Sequence, residues 1–288
     1  MDATGPYRHI LAKTGDGVAH ILLNRPDQLN PIGRGPGSMR DEIELALRGA
    51  DGDSAVGAVV ISGAGRAFSA GADLAAALPN RTPLEAHRFG EELLRFNAAV
   101  RAVHKPVIAA VHGLCIGAGL SLIAQCDFVV AAQDARFGLV EGRIGLPGAA
   151  ELVALVGPAW AKFLIFTGEF IGASLAERIG LVLSVEPAEQ LLERCLALAA
   201  RIARMPRDAV ALNKAAVDNV AEAMGRGAGR IAGRASETLT LAMSGRALAP
   251  DGRPFDDILR AEGIEGMKRA RDSQFVGGWL RRTQGERP

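Results

Sequence analysis

The residues of this sequence that could do chemistry are one carboxylate and two groups of backbone amides. Glu141 lies in a stretch that is otherwise apolar and glycine-rich. Gly117-Ala118-Gly119 forms a turn before a short helix, and the first N–H groups of a helix have no partner within it. Residues 63–74 are mostly small, which is unusual unless the backbone itself is in use. The sequence therefore predicts a site in which a carboxylate lies near free backbone amides.

Both the turn and the carboxylate belong to residues 105–148, which predict the centre of an α/β domain. Residues 106–111 are short, rich in β-branched side chains and without polar alternation, as is typical of a strand buried on both faces. Residues 120–125 predict a short helix, and residues 128–132 predict a second buried strand. The other elements must be arranged around this stretch.

Alternating strands and helices are predicted on both sides of this centre, followed by helices alone. Before it we expect a hairpin (8–13 and 18–23), a helix capped by Ser38 (38–47), a strand (56–62) and a helix begun by Thr82-Pro83 (82–103). After it we expect helices at 149–156, 160–167 and 174–179, a strand at 181–185 and a helix at 187–204. No convincing strand follows residue 206. We predict a core of residues 1–204 and a helical C-terminal region of residues 205–288.

Composition excludes several classes of protein. The 288 residues are 49% hydrophobic, enough for a large core, and 33 basic against 32 acidic residues give no field that would attract nucleic acid. The three cysteines form no C-x-x-C pair, which argues against a disulfide framework or a zinc site. Since the N-terminus lacks a leader pattern and no apolar run approaches the roughly 20 residues of a membrane span, we expect a soluble, cytoplasmic protein.

Common catalytic motifs do not account for the glycine turn. A dinucleotide-binding G-x-G-x-x-G is broken by Leu122, and no acidic residue follows at the expected distance. Ser121 is not part of a G-x-S-x-G motif, so its simplest role is that of an ordinary helix residue. Glu141 taken alone would be a solvated loop residue. The motifs that accompany Glu141 along the sequence change that interpretation.

Several motifs, in order along the chain, resemble those of the crotonase family, the enoyl-CoA hydratase/isomerase superfamily. They are the segments 67–74 (AFSAGADL), 105–113 (KPVIAAVHG), 117–122 (GAGLSL), 126–127 (CD), 137–141 (FGLVE) and 145–148 (GLPG). Asn24-Arg25-Pro26, Asn30, Thr167-Gly168 and 176–182 (AERIGLV) extend the resemblance over residues 10–205. The resemblance implies an α/β crotonase-like fold, a spiral of ββα units, with a helical C-terminal region that mediates oligomerisation.

The resemblance also implies a site for an acyl-CoA thioester, with no cofactor beyond the coenzyme A of the substrate and no metal. The backbone N–H groups of Ala72 and Ala118 would form the oxyanion hole that holds the thioester oxygen as it becomes an enolate. Glu141 would be the catalytic acid/base. The implied substrate-binding residues are Asp27 and Gln28 near the coenzyme A, together with Ala70, Gly71, Asp73, Leu74, Gly117, Gly119 and Ser121.

The sequence departs from the family pattern at one of two glutamates. Family hydratases have a glutamate in the helix after the glycine turn and another in the loop after the next strand, and these positions match Ser121 and Glu141. Serine cannot act as a carboxylate base, although it can hold a water molecule. The family's G-G-T-Q-R segment is replaced by residues 149–152, where Glu151 could lend a second carboxylate. We therefore expect Glu141 alone to favour isomerisation over hydration.

Two other functions remain open at this point: a non-catalytic acyl-CoA-binding protein and a thioester hydrolase. The same resemblance implies a homotrimer or a homohexamer. Apolar residues of the C-terminal region have little sheet to cover them. They are Ile231, Leu239, Leu241, Met243, Ile258 and Met267.

Overall fold

The protein folds around a six-stranded sheet. The computed structural model describes residues 7–73, 82–275 and 277–280, with the backbone alone at 230 and 232. The strands of this sheet are β1 (Ile10–Gly15), β2 (Val18–Leu23), β3 (Ala58–Gly63), β5 (Val107–Val111), β7 (Phe128–Ala132) and β10 (Ser184–Glu186). They lie in the order β1-β2-β3-β5-β7-β10, and every pair but the first is parallel.

The predicted hairpin and the predicted buried strands are confirmed. Asp16 and Gly17 both have positive φ, 51° and 78°, as a tight two-residue hairpin turn requires. Every residue of β5 is buried, because side chains on both faces of the sheet are covered by other elements. The continuous apolar pattern of residues 106–111 has this cause.

A second, four-stranded sheet contains much shorter strands. They are β4 (Ala67–Ser69), β6 (Leu114–Ile116), β8 (Arg136–Gly138) and β9 (Ile171–Gly172), in the order β4-β6-β8-β9. Each of β4, β6 and β8 directly follows a strand of the large sheet along the chain. This repeated step from the large sheet to the small one is the expected arrangement of ββα units.

Helices surround the two sheets. They are α1 (Met39–Gly52), α2 (Pro83–Arg101), α3 (Ala118–Ile123), α4 (Val153–Thr167), α5 (Ala173–Arg178), α6 (Leu191–Ala203), α7 (Arg207–Ala221), α8 (Gly227–Met243) and α9 (Phe255–Asp272). Ser38 caps α1 by accepting a hydrogen bond from the Asp41 N–H, and Thr82 with Glu85 forms a capping box at α2. Both predicted helix starts are confirmed.

Two expectations about residues 149–167 differ from the structure. The two predicted helices are one element, α4, broken at Gly157, whose φ of 74° and ψ of 167° are not helical. Residues Ala150–Thr167 also form an apolar stretch of mean hydropathy 1.5 that could cross a membrane by length and composition alone. The expectation that no apolar run approaches that length was wrong, because valine, leucine, isoleucine and phenylalanine on both sides of Gly157 outweigh the polar residues of this window.

The helical C-terminal region is present and packs on the rest of the chain. Helix α8 lies against α2, and α9 lies against a 3-10 helix at Val140–Ile144. Ile144 joins Ala249, Phe255, Ile258 and Met267 in a separate apolar cluster. The C-terminal helices therefore close over the segment that carries Glu141.

Candidate active site

One cavity lies between the sheets and the C-terminal helices. Its lining includes Ala72, Gly117, Ala118 and Glu141, and α2, α8 and α9 contribute further residues. The cavity therefore brings together the two amide loops and the carboxylate that the sequence singled out.

The loop after β4 directs the Ala72 N–H away from the segment that contains Ile32. The Ile32 N–H donates to Gly71 O at 2.8 Å, and the Asp73 N–H donates to Ile32 O at 3.3 Å. Ile32 and Ala72 form an isolated parallel bridge, in which the flanking residues of Ala72 supply the hydrogen bonds. The N–H of Ala72 therefore points to the side opposite Ile32.

The second amide belongs to the first residue of α3. The Gly117 N–H donates to Gly138 O at 3.1 Å, and Gly117 O accepts from the Ser121 N–H at 2.8 Å. The Ala118 N–H is at the helix start, where no carbonyl of the same helix can reach it. Gly119 has no room for a side chain, since a Cβ there would lie 2.9 Å from Ser69 Cβ.

The two loops approach each other closely. A Cβ built on Gly71, whose φ is +101°, would lie 3.2 Å from Ile116 O and 3.8 Å from the Ala118 nitrogen. Within the described residues, neither Ala72 nor Ala118 donates its N–H to another protein atom. Two residues whose N–H groups have no partner among the described residues therefore line one cavity.

Glu141 lies directly over the glycine turn. A Cβ built on Gly117 would be only 1.4 Å from Glu141 Oε1. Glu141 Oε2 is buried without a hydrogen-bond partner among the described residues. Burial raises the pKa of Glu141 to about 7, although its own backbone N–H and the charge of Arg271 oppose this. A carboxyl group with this pKa can both take and return a proton near neutral pH.

A second carboxylate lies beside Ser121, the position at which family hydratases have a glutamate. Ser121 Oγ donates to Glu151 Oε1 at 2.6 Å, and Asn97 Nδ2 lies 3.5 Å from the same oxygen. Ser121 and Glu151 both line the cavity that contains Glu141. The sequence indicated Glu151 as a possible second carboxylate but did not show where its side chain lies. Glu141 is therefore not the only carboxylate at the site.

Glu237 of α8 is a third carboxylate in the cavity, and no sequence pattern indicated its presence there. Burial, and then the charge of Glu151, raise the pKa of Glu237 to about 7. The C-terminal region was expected to serve oligomerisation, and none of its residues was assigned to the site. The amphipathic pattern of α8 predicts that one face is covered, but not that it covers this cavity.

The other predicted binding residues fall into two groups. Asp73, Gly117 and Ser121 line the cavity. Gly71 and Gly119 lie next to the two amides, where the absence of a side chain lets the loops meet, and the Ala70 N–H donates to Leu29 O. Leu74 lies outside the described residues.

Asp27 and Gln28 lie on an exposed 3-10 helix and do not line the cavity. Arg25 connects that helix to the loop after β4, the first amide loop, which carries Ala72 and Asp73. Its guanidinium bonds Gln28 Oε1 and pairs with Asp73 Oδ2 at 2.8 Å. These residues could contact only a part of a ligand that extends out of the cavity.

Comparison with known proteins gives consistent matches. The sequence model of the family described as enoyl-CoA hydratase/isomerase matches residues 13–235. The crotonyl-CoA hydratase of Syntrophomonas wolfei is 37% identical over 217 residues, which cover 74% of this chain and 82% of that protein. A probable enoyl-CoA hydratase of Rhizobium meliloti is 36% identical over 224 residues, 75% of this chain and 83% of that protein.

A solved structure is similar over nearly the whole chain. The enoyl-CoA hydratase/isomerase from Xanthobacter autotrophicus Py2 superimposes with a TM-score of 0.85 at 32% sequence identity, covering 94% of this chain and 100% of that one. The similarity therefore includes the C-terminal helices, which extend beyond the residues that the family model matches.

Proposed function

The chain belongs to the enoyl-CoA hydratase/isomerase family, and we propose that it converts an enoyl-CoA thioester through an enolate. In this proposal the Ala72 and Ala118 N–H groups bind the thioester oxygen, and Glu141 transfers the proton. The observation that carries it is the position of Glu141, whose carboxylate lies over Gly117 and so beside the Ala118 amide. Loss of one such donor costs about 3–4 kcal/mol of transition-state stabilisation in typical enzymes.

Isomerisation of a 3-enoyl-CoA needs only these groups. Glu141 removes a proton from the α-carbon, and the electron pair moves into the carbonyl to give a dienolate whose oxygen accepts from both amides. The same carboxyl group then returns a proton to the γ-carbon, which shifts the double bond to the 2-position. The pKa of about 7 supports both steps near neutral pH.

Hydration of a 2-enoyl-CoA is a second candidate, favoured by the hydrogen bond between Ser121 and Glu151. A water molecule held near Ser121 would give a proton to Glu151 while the water oxygen bonds to the β-carbon. Glu141, in its protonated form, would supply the proton to the α-carbon. This route uses two carboxylates, as family hydratases do.

Variants of Glu151 and Ser121 should affect the rates of the two reactions differently. We expect the wild type to isomerise a 3-enoyl-CoA faster than it hydrates a 2-enoyl-CoA, with both rates followed by chromatography of the products. Glu151→Gln and Ser121→Ala should leave isomerisation within a few-fold of wild type and lower any hydration by about 10²–10⁴-fold. Unchanged hydration in both variants would remove Glu151 as a base. If the rates of hydration and isomerisation fall equally in these variants, the proposal that Glu141 alone catalyses isomerisation is wrong.

The same assays address the two remaining alternatives. A non-catalytic binding protein would bind these thioesters without converting either of them. A thioester hydrolase would release free coenzyme A, which a thiol reagent detects. We also propose that Asp27 and Gln28 contact the coenzyme A portion, since both are exposed and connected through Arg25 to the first amide loop.

A further inference from the structure

A buried arginine lines the same cavity and has no role in the proton transfer described above. Arg40 is in the first turn of α1, is only 7% exposed and belongs to the cavity lining. Its guanidinium carbon lies 5.4 Å from the centre of the Phe96 ring. Burial of a cation against an aromatic ring satisfies none of its in-plane N–H donors.

Two of the donors of Arg40 lack acceptors in the part of the chain that the structure describes. Among the described residues, Nε and Nη1 are buried without a hydrogen-bond partner, and no carboxylate forms an ion pair with this side chain. Glu92 attracts the guanidinium from a distance, whereas Arg34, which also lines the cavity, repels it. Burial lowers the pKa of Arg40 to about 10, yet leaves it charged at neutral pH. An unpaired buried charge of this kind is costly unless something that binds there satisfies it.

Another polar atom of the cavity lacks a partner. Thr238 Oγ1 on α8 is buried and forms no hydrogen bond with the described residues. Gly90 on α2 faces this hydroxyl, since a Cβ built there would be in ordinary contact with Thr238 Oγ1 at 3.8 Å. A purely hydrocarbon acyl chain would leave the Arg40 donors and this hydroxyl unpaired in an apolar setting. A site with unpaired buried donors selects for a ligand that brings the acceptors.

We propose that the cavity binds an acyl-CoA whose acyl group ends in a carboxylate, held by Arg40. The substrate class would be monothioesters of dicarboxylic acids, and this inference rests on the enoyl-CoA activity proposed above. Glu141, Glu151 and Glu237 line the same cavity and disfavour an anion close to them. Selection for a terminal carboxylate therefore depends on Arg40, with Arg34 adding positive charge.

Binding of saturated thioesters tests the proposal without turnover. Succinyl-, glutaryl- and adipyl-CoA are compared by calorimetry with butyryl-, pentanoyl- and hexanoyl-CoA, the neutral thioesters of the same chain lengths. The wild type should bind the carboxylated member of at least one pair more tightly. Arg40→Met keeps the apolar stem but removes the donors, and should weaken that member roughly tenfold to a hundredfold while leaving its neutral partner within a few-fold. Arg48→Met is the matched control, because Arg48 is on the same helix with a side chain that is 68% exposed, and should behave as wild type.

The outcomes separate this inference from the activity on which it rests. Tighter binding of the neutral member in all three pairs by the wild type overturns the inference but leaves the enoyl-CoA activity intact. Equal weakening of both members by Arg40→Met also overturns it, since Arg40 would then be structural. If Arg40→Met does not fold, Arg40→Lys gives the same test, because it keeps a charge but loses the planar fork. Failure of every thioester to bind would instead remove the proposed activity and this inference together.

Discussion

Replacing Gly117 by alanine tests the position of the Glu141 carboxylate. The new Cβ would lie 1.4 Å from Glu141 Oε1, whereas ordinary contact begins at 3.4 Å. The carboxylate must therefore move by about 2 Å, and a misplacement of about 1 Å can already lower a rate 10²-fold. We expect Gly117→Ala to lower isomerisation, and any hydration, by at least about 10²-fold.

Stability and activity should separate in this variant. Glu141 can rotate away from the new methyl group, so the main cost to folding is the backbone of Gly117, whose φ of 50° and ψ of −112° cost about 1–3 kcal/mol for a residue with a side chain. Gly252→Ala is the control, since Gly252 has a φ of +84° and nothing within 4 Å of a built Cβ. Both variants should have a lower melting temperature than the wild type, but only Gly117→Ala should lose activity.

The assay is kcat/KM for each reaction, measured beside a thermal melt. Gly117→Ala should also add little to the loss already caused by Glu141→Gln, because both changes remove the same group from the site. If the rates of Gly117→Ala stay within tenfold of wild type, or if the two losses multiply, Glu141 does not act from this position.

Three further predictions address titration, assembly and ligand class. Because the folded pKa of Glu141, about 7, lies above its ordinary value, its protonation stabilises the fold at low pH and that gain is lost as pH rises through about 7. Glu141→Gln should therefore melt above wild type at about pH 8 but not at about pH 5, and equal shifts would contradict this. Light scattering should give a mass three or six times the 30.1 kDa monomer, since Ile231, Leu239 and Met243 remain 76%, 62% and 57% exposed in one chain; the monomer mass would refute this assembly. Coenzyme A thioesters should raise the melting temperature whereas nicotinamide dinucleotides should not, and stabilisation by a dinucleotide alone would favour dinucleotide binding at the glycine turn.

Long apolar strands and helix starts were predictable because their signals are local. Residues 128–132 were predicted as a strand and form β7 with those bounds. In contrast, β4, β6 and β8 were missed, since each has three residues and is too short to show a periodic pattern. They lie in or beside the glycine-rich segments, which appear as loops from sequence alone.

The candidate site was only partly accessible from sequence because some of its contacts join distant segments. Glu151 meets Ser121 thirty positions away in the chain, and Glu237 joins them only because α8 packs against α2. No local pattern encodes either approach. Likewise, three of the six apolar C-terminal residues expected at a subunit interface, Leu241, Ile258 and Met267, are buried within the chain itself. Periodicity predicts an apolar face but does not identify what covers it.

The central claim is that Glu141 moves the proton while the two amides hold the enolate, and Glu141→Gln tests it most directly. Glutamine keeps the size of the side chain but cannot take up or return a proton. Isomerisation of a 3-enoyl-CoA, and any hydration of a 2-enoyl-CoA, should fall by about 10²–10⁴-fold, while a saturated thioester should still raise the melting temperature as it does in the wild type. Either rate remaining at the wild-type level in this variant, with thioester binding intact, would contradict the account.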